Sequence, residues 1–324
     1  MRTAGGVGRY RSSNAIVPSD RQLARRQKYR DICRVDDKVG GNLRRMSTNK
    51  YSADKPMRVG LAGFGNVGQT LARMLTEGVI PEVKLTAVSA ANLSAAETRA
   101  APLTPMPLVV PAEELPQHAD VIVECATGEA FPTIARAALN AGKTLLPVSV
   151  AALETNPDIL DLAETSDGTM RVVTGALPGL DSMRGAKESG IHTVKLTSNI
   201  RPESLAREAY VIDRGFDFST PPASPVKVFE GSARAAGMAF PRHFNVGIAL
   251  SLAGIGPDRT EVEVWANNDI PGTIHEVYVD SNAIKLTLKS ENLPSPDNPR
   301  TSSSVAPSVI AALRSLVSSV QVGS

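Results

Sequence analysis

From Met57 onward, two periods of hydrophobic and polar positions succeed one another, and the change-over divides the chain. "MRVGLAGF" (57–64) is a short apolar run. "NVGQTLARMLTEG" follows at helical spacing, with Val67, Leu71, Met74 and Leu75 on one face and Gly78 placed to stop the helix. The alternation then repeats. "EVKLTAVSA" and "ADVIVECA" read as strands, "FPTIARAALNAG" as a helix closed by Gly142, and "KTLLPVSV" as another strand. "NPDILDLAET" reads as helix and "MRVVTGAL" as a further strand. Strands separated by helices of this length predict right-handed βαβ units and a parallel sheet.

Past Leu177 the period changes. "GLDSMRGAKESG" predicts a helix ended by Gly190, and "IHTVKLTSNI" alternates in steps of two. So do "EVEVWAN", "TIHEVYVDS" and "NAIKLTLKSE", the last two around a tight turn near Asp280 to Asn282. Alternation without intervening helices predicts a sheet with one covered face, antiparallel or mixed. The chain closes with a predicted amphipathic helix carrying Val305, Val309, Leu313, Leu316 and Val320. The Pro-rich connector before it lets that helix (301–320) return to the first domain.

The first helix is preceded by glycines with a mechanical logic. Gly63, Gly65 and Gly68 form GxGxxG between a strand and a helix, at the head of a βαβ series. The first permits the tight turn, the second lets backbone approach a pyrophosphate, and the third lets helix pack on strand. Gly63, Phe64, Gly65, Asn66, Val67 and Gly68 are therefore the expected cofactor loop, with the helix N-terminus presenting free N–H groups to the anion. The expected fold class is α/β. A Rossmann-type doubly wound parallel sheet (57–175) precedes a second α/β domain (176–300) with a mixed or antiparallel sheet. An acid about 20 residues past the glycines normally takes the ribose 2′-hydroxyl. Here Ser89, Asn92 and Ser94 occupy that stretch and no acid appears before Glu97, so NAD and NADP both stay open.

Composition narrows the class further. No run of about 18 apolar residues appears, so a membrane span is not expected. Two cysteines, Cys33 and Cys125, with no CxxC pair, and four scattered histidines argue against a disulfide framework and a metal site. They fit a reducing, cytoplasmic setting. Residues 1–56 hold 14 Lys and Arg against 5 acids and show no apolar period. That stretch is expected to be a disordered basic tail, or sequence upstream of a start at Met46 or Met57, rather than a nucleic-acid-binding arm. It has no apolar core segment of a secretory signal.

Three later segments carry a resemblance: "GALPGLDSM" (175–183), "VFEGSARAAGMAFPRHFNVGIALSLAGIGPDRT" (228–260), and "GTIHEVYV" with "ENLPSPDNPRTSS" (272–303). With the glycine loop they resemble the L-aspartate dehydrogenase family, from about Met57 to the C-terminal helix. The resemblance implies oxidation of L-aspartate by NAD or NADP to iminoaspartate, which hydrolyses to oxaloacetate and ammonia. In some members the imine feeds NAD biosynthesis. Matched motif by motif, the family's active-site histidine falls on His275 and its nicotinamide-side asparagine on Asn245, an amide for cofactor or substrate. The cofactor-contacting turn falls on Ala176 and Pro178. Arg201 in "NIRP" and Arg242 in "FPRH" hold the places of substrate-side cations.

Each residue also has a plainer reading. His275 shares a strand face with Val277 and Val279 and, without the resemblance, reads as a core histidine. As an acid–base group titrating near neutrality, it would move the proton of the amine or of the attacking water. Asn245 reads as a helix cap. Arg234 in "GSARAAG" is either a solvated helix charge or a guanidinium for a substrate carboxylate. His118, His192 and His243 read as structural or surface residues, and Cys125 as inert packing. Competing functions are a homoserine dehydrogenase-like or dihydrodipicolinate reductase-like enzyme, and a non-catalytic NAD(P) sensor. The reductases' paired-histidine motif with its downstream lysine is missing. A homodimer through an exposed face of the second sheet is the expected assembly.

Overall fold

Strand β1 (Met57–Ala62) exposes only Arg58, so both of its faces need cover. It pairs in parallel with β2 (Val83–Ser89) and β4 (Val121–Glu124). β3 (Leu108–Val109), β5 (Thr144–Pro147) and β6 (Thr169–Met170) complete a six-stranded parallel sheet of order β3-β2-β1-β4-β5-β6. This is the doubly wound dinucleotide order, whose crevice opens beyond the carboxyl ends of β1 and β4. The computed structural model describes residues 50–323 apart from Arg242, Pro296 and Asp297. Most of the basic N-terminal segment, with Cys33, and the candidate Arg242 lie outside the described residues.

The strand expected over "MRVVTGAL" is cut to Thr169–Met170. Its partner β5 ends at Pro147, which has no N–H to continue the ladder. Arg171 N–H still reaches the Leu145 carbonyl at 2.9 Å. The chain then leaves the sheet and turns at Gly175, whose φ is +60°.

The second sheet has the order β11-β10-β7-β9-β8. Its strands are β7 (Ile191–Ile200), β8 (Val226–Ser232), β9 (Thr260–Ala266), β10 (Thr273–Ser281) and β11 (Lys285–Asn292). β7 and β9 run parallel and the other pairs antiparallel, so the sheet is mixed. Alternate residues Val194, Leu196, Val262, Val264, Val277 and Val279 bury one face. Helices Leu180–Ser189, Ala233–Ala239 and Asn245–Ala253 cover it. Asn245–Ala253 is apolar all round because it lies between that sheet and the short turn Val150–Glu154.

A two-stranded ribbon, β12 (Pro294–Ser295) with β13 (Asn298–Ser302), leads into the last helix, Val305–Val317. That helix packs on the Asn66–Thr76 helix and β2. Its buried stripe is Ala306, Val309, Ile310, Leu313 and Val317. The stripe expected from sequence extended to Val320, but the helix ends at Val317 and Val320 is exposed.

Candidate active site

The glycine loop links β1 to the Asn66–Thr76 helix, and each glycine answers a different constraint. Gly63 has φ +106°, and a Cβ there would meet the Cys125 carbonyl at 2.4 Å. A Cβ on Gly68 would meet the Gly63 carbonyl at 2.1 Å. Both are demanded by the fold itself. Gly65 has nothing within 4 Å, so the space beside it is open to a ligand. A cavity of about 820 Å³ begins there, floored by Ser89 to Leu93 and walled by Pro111, Ala130 and Ile134. Apolar walls with a glycine-lined mouth fit the adenosine half of a dinucleotide.

A second cavity, of about 360 Å³, shares Cys125 and Ala126 with the first. Glu124 builds this junction. Its buried carboxylate accepts N–H bonds from Ala126 (2.8 Å), Ser149 (3.0 Å) and Val148 (3.3 Å), fastening the β5 loop to the end of β4. Burial raises the Glu124 pKa, and those donated bonds pull against the rise. The Cys125 thiol donates to the Gly63 carbonyl at 3.1 Å. Burial and the neighbouring Glu124 push its pKa up, so it stays protonated and unreactive.

His275 lines this second cavity from the covered face of β10. Across the ladder it stands opposite Ser198 of β7, whose Oγ lies 2.9 Å from His275 Nδ1. Both residues are buried. Burial pushes the His275 pKa down from 6.5 to about 4. Burial thus works against the protonated form, away from the near-neutral titration expected from the sequence. With Nδ1 held by Ser198, Nε2 is the nitrogen left for a ligand.

Asn245 also lines the cavity. It is the first residue of its helix rather than the cap, which is Phe244. Its Oδ1 accepts the Ala151 N–H at 2.9 Å, which leaves the Nδ2 hydrogens for a ligand. Of the other expected residues, Asn66, Val67 and Ala176 line this cavity, whereas Gly63, Phe64 and Gly65 line the first. Gly68 packs the helix on the strand, and Pro178 is exposed and lines neither cavity.

The two candidate arginines do not reach either cavity. Arg201 donates Nη1–H to the Ile270 carbonyl at 2.9 Å and pairs through Nε with Glu203. Arg234 forms a bidentate pair with Asp258 (2.6 and 3.0 Å) and a bond to Glu154 (2.6 Å). Its charge is already met by two carboxylates.

His243, read from sequence as structural or surface, instead stands in the cavity wall. Its Nε2 lies 3.3 Å from the buried Glu208. Ser198, Glu124, Ala126 and Asn292 were also missed. Asn292 lines the cavity and its Oδ1 accepts from Ser302 (3.2 Å) and Ser304 (3.1 Å), tying β11 to the segment before the last helix. Sequence offered a signal only for Ser198: in paired alternating strands, a hydroxyl beside a histidine is a register question.

This architecture has named relatives. Residues 181–316 match the family model described as aspartate dehydrogenase, C-terminal, and residues 63–173 the homoserine dehydrogenase NAD-binding domain. L-aspartate dehydrogenase 3 of Bordetella bronchiseptica is 40% identical over 84% of this chain and 99% of its own length. The chain belongs to the L-aspartate dehydrogenase family. The L-aspartate dehydrogenase of Bradyrhizobium diazoefficiens is 36% identical over 84% of this chain and 96% of its own. In fold, the chain is similar to the crystal structure of aspartate dehydrogenase from Thermotoga maritima. The TM-score is 0.63 at 21% identity, over 82% of this chain and 99% of that one. The NAD-binding domain and these relatives make NAD or NADP the cofactor.

Proposed function

We propose that this member of the family is itself an NAD(P)-dependent L-aspartate dehydrogenase. It converts L-aspartate and NAD(P)+ to iminoaspartate, NAD(P)H and a proton, and the imine then takes up water to give oxaloacetate and ammonia. The observation that carries the reading is His275, held through Nδ1 by Ser198, in a cavity that joins the dinucleotide cavity at Cys125 and Ala126. The bound cofactor supplies the hydride acceptor. The chain's own residues do the rest. Nε2 of His275 accepts the proton that the amine must lose, the carboxylates of the bound substrate stabilising the cation that burial opposes. Once that proton has passed to solvent, the same nitrogen activates water at the imine carbon. Asn245 offers Nδ2–H to the nicotinamide or the substrate, and Ala176 closes the same wall.

With Arg201 and Arg234 committed elsewhere, His243, backed by Glu208, is the described cavity residue that serves a substrate carboxylate. We place the domain boundary at the turn after Val173, with 57–175 and the last helix holding the cofactor and 176–300 the substrate. The half-exposed Tyr278 and Trp265 on the open face of the second sheet suit a homodimer contact. The free Cys125 suits a reducing, cytoplasmic setting. Among the described residues, no helix is long and apolar enough to cross a membrane.

Following NAD(P)H absorbance with aspartate, with homoserine, and with oxaloacetate plus ammonia tests the assignment. Turnover of aspartate and of oxaloacetate plus ammonia is expected. Turnover of homoserine alone would transfer the chain to the other amino-acid dehydrogenases, and binding without turnover would make it a sensor.

A further inference from the structure

The adenosine cavity carries a charge pattern that bears on which dinucleotide enters it. β2 ends at Ser89, and the loop after it (Ala90, Ala91, Asn92) contributes no carboxylate. Glu97, the first acid in sequence after β2, lies on the Leu93–Ala100 helix and does not line the cavity. Arg99, two residues on, does.

Arg99 is the only cation among the cavity's described lining residues. Its Nη1–H donates to the Phe64 carbonyl at 3.1 Å. Phe64 belongs to the glycine loop, so the side chain bridges from the helix after β2 to the loop that faces the phosphates. The adenosine ribose of a dinucleotide sits between those two segments. No ion pair engages Arg99 among the described residues, and Nε and Nη2 keep their hydrogens. Asn92 spends its Oδ1 on the Ala95 N–H at 2.9 Å, and its Nδ2 donor stays free for the same group. The single carboxylate of the lining, Glu113, follows β3 rather than β2. It is solvent-exposed, as Arg99 is, so salt screens both charges alike and the hydrogen bonds of the guanidinium carry the discrimination.

We propose that Arg99 is the receptor for the 2′-phosphate of NADP, and that this chain binds the 2′-phosphorylated dinucleotide more tightly than NAD. A guanidinium pairs with a phosphate dianion by charge-assisted hydrogen bonds, whereas a plain ribose 2′-hydroxyl gains far less from it. The inference rests on this cavity being the adenosine end of the cofactor site; it does not depend on which substrate fills the other cavity.

The test is calorimetric titration of the full chain with two fragments that lack nicotinamide, 2′,5′-ADP and 5′-AMP. Wild type should bind 2′,5′-ADP roughly ten- to a hundredfold tighter, the scale of one charge-assisted pair. Arg99→Ala should remove most of that advantage and leave the Kd for 5′-AMP within about threefold, since a surface arginine is not needed for folding. Equal affinity of wild type for both fragments would overturn the proposal. So would an Arg99→Ala chain that loses both fragments equally, because Arg99 would then only brace the Phe64 loop. If the discrimination follows Arg99 but aspartate is not oxidised, the cofactor inference stands and the substrate assignment falls.

Discussion

At the scale of single residues, the decisive pair is His275 with Ser198. An imidazole whose pKa is near 4 cannot report its own titration in a pH–rate profile around neutrality. Any inflection of kcat/KM near pH 6 to 7 is therefore expected to persist in His275→Asn, although kcat itself should fall about 10²- to 10⁴-fold. Loss of that inflection together with the rate would show that His275 does titrate there. The same burial links to stability. The folded pKa lies below the unfolded value of 6.5, so the folded form binds fewer protons. Stability from this group is full above pH 6.5 and is lost as pH falls toward 4, by about 3 kcal/mol at the limit. Denaturant melts at pH 7.5 and 4.5 should show a smaller acid loss in His275→Asn than in wild type. Ser198→Ala removes the partner that fixes the ring without touching the cavity surface. It should lower kcat roughly ten- to a hundredfold and leave the Kd for NAD(P)H unchanged. A Ser198→Ala enzyme with normal kcat would mean that the ring is positioned by packing alone.

At the scale of elements, the glycine loop separates fold from function. Gly68 faces backbone at 2.1 Å, so Gly68→Ala must push the Asn66–Thr76 helix off β1 and should lower Tm as well as cofactor affinity. Gly65 faces open space, so Gly65→Val should leave Tm within a few degrees and weaken NAD(P)H binding more than tenfold. Equal cofactor affinity in Gly65→Val and wild type would move the pyrophosphate elsewhere. This loop was legible because strand, turn and helix each left a separate mark on the sequence. β7 and β10 were legible for the same reason, since their alternation is strict. Less legible were elements whose pattern is set by what they touch. β8 runs directly into the Ala233–Ala239 helix, with Ser232 both the last strand residue and the helix cap. The strand from Thr169 stops at Met170, where its partner β5 reaches Pro147, which has no N–H to continue the ladder. The arginines show the limit for sites. "GSARAAG" identifies a cation, but only three dimensions reveal that Asp258 and Glu154 already hold it, while His243 turns into the cavity. Partners far apart in sequence leave no local pattern to read.

At the scale of the whole molecule, the boundaries of the working unit are set by packing at its two ends. Tyr51 packs against the core of the first sheet, so the unit starts ahead of Met57, where the strand pattern would have put it. A chain beginning at Lys50 should keep wild-type Tm and turnover, whereas one beginning at Met57 should lose the Tyr51 contact and melt lower. The other end is more consequential. The last helix comes after the whole second sheet, yet its buried stripe joins β1, β2 and the Asn66–Thr76 helix in one apolar cluster. Without it, the cluster that holds Leu71, Leu75 and Leu85 would lose the cover this helix gives the Asn66–Thr76 helix and β2. Truncating one such buried leucine typically costs about 2–5 kcal/mol, against a total stability of about 5–15 kcal/mol. Leu313→Ala should therefore lower stability by an amount in that range while leaving the Kd for NAD(P)H, measured well below Tm, unchanged. A chain ending at Ser304 gives up Val309, Ile310, Leu313 and Val317 together and should fail to fold as a cooperative unit. Supplying residues 305–323 as a separate peptide should restore cofactor binding in part, because the helix adds cover and none of the glycine-loop contacts. A truncated chain that melts and binds NAD(P)H like wild type would show that the first sheet holds its own core, and that the returning helix is dispensable.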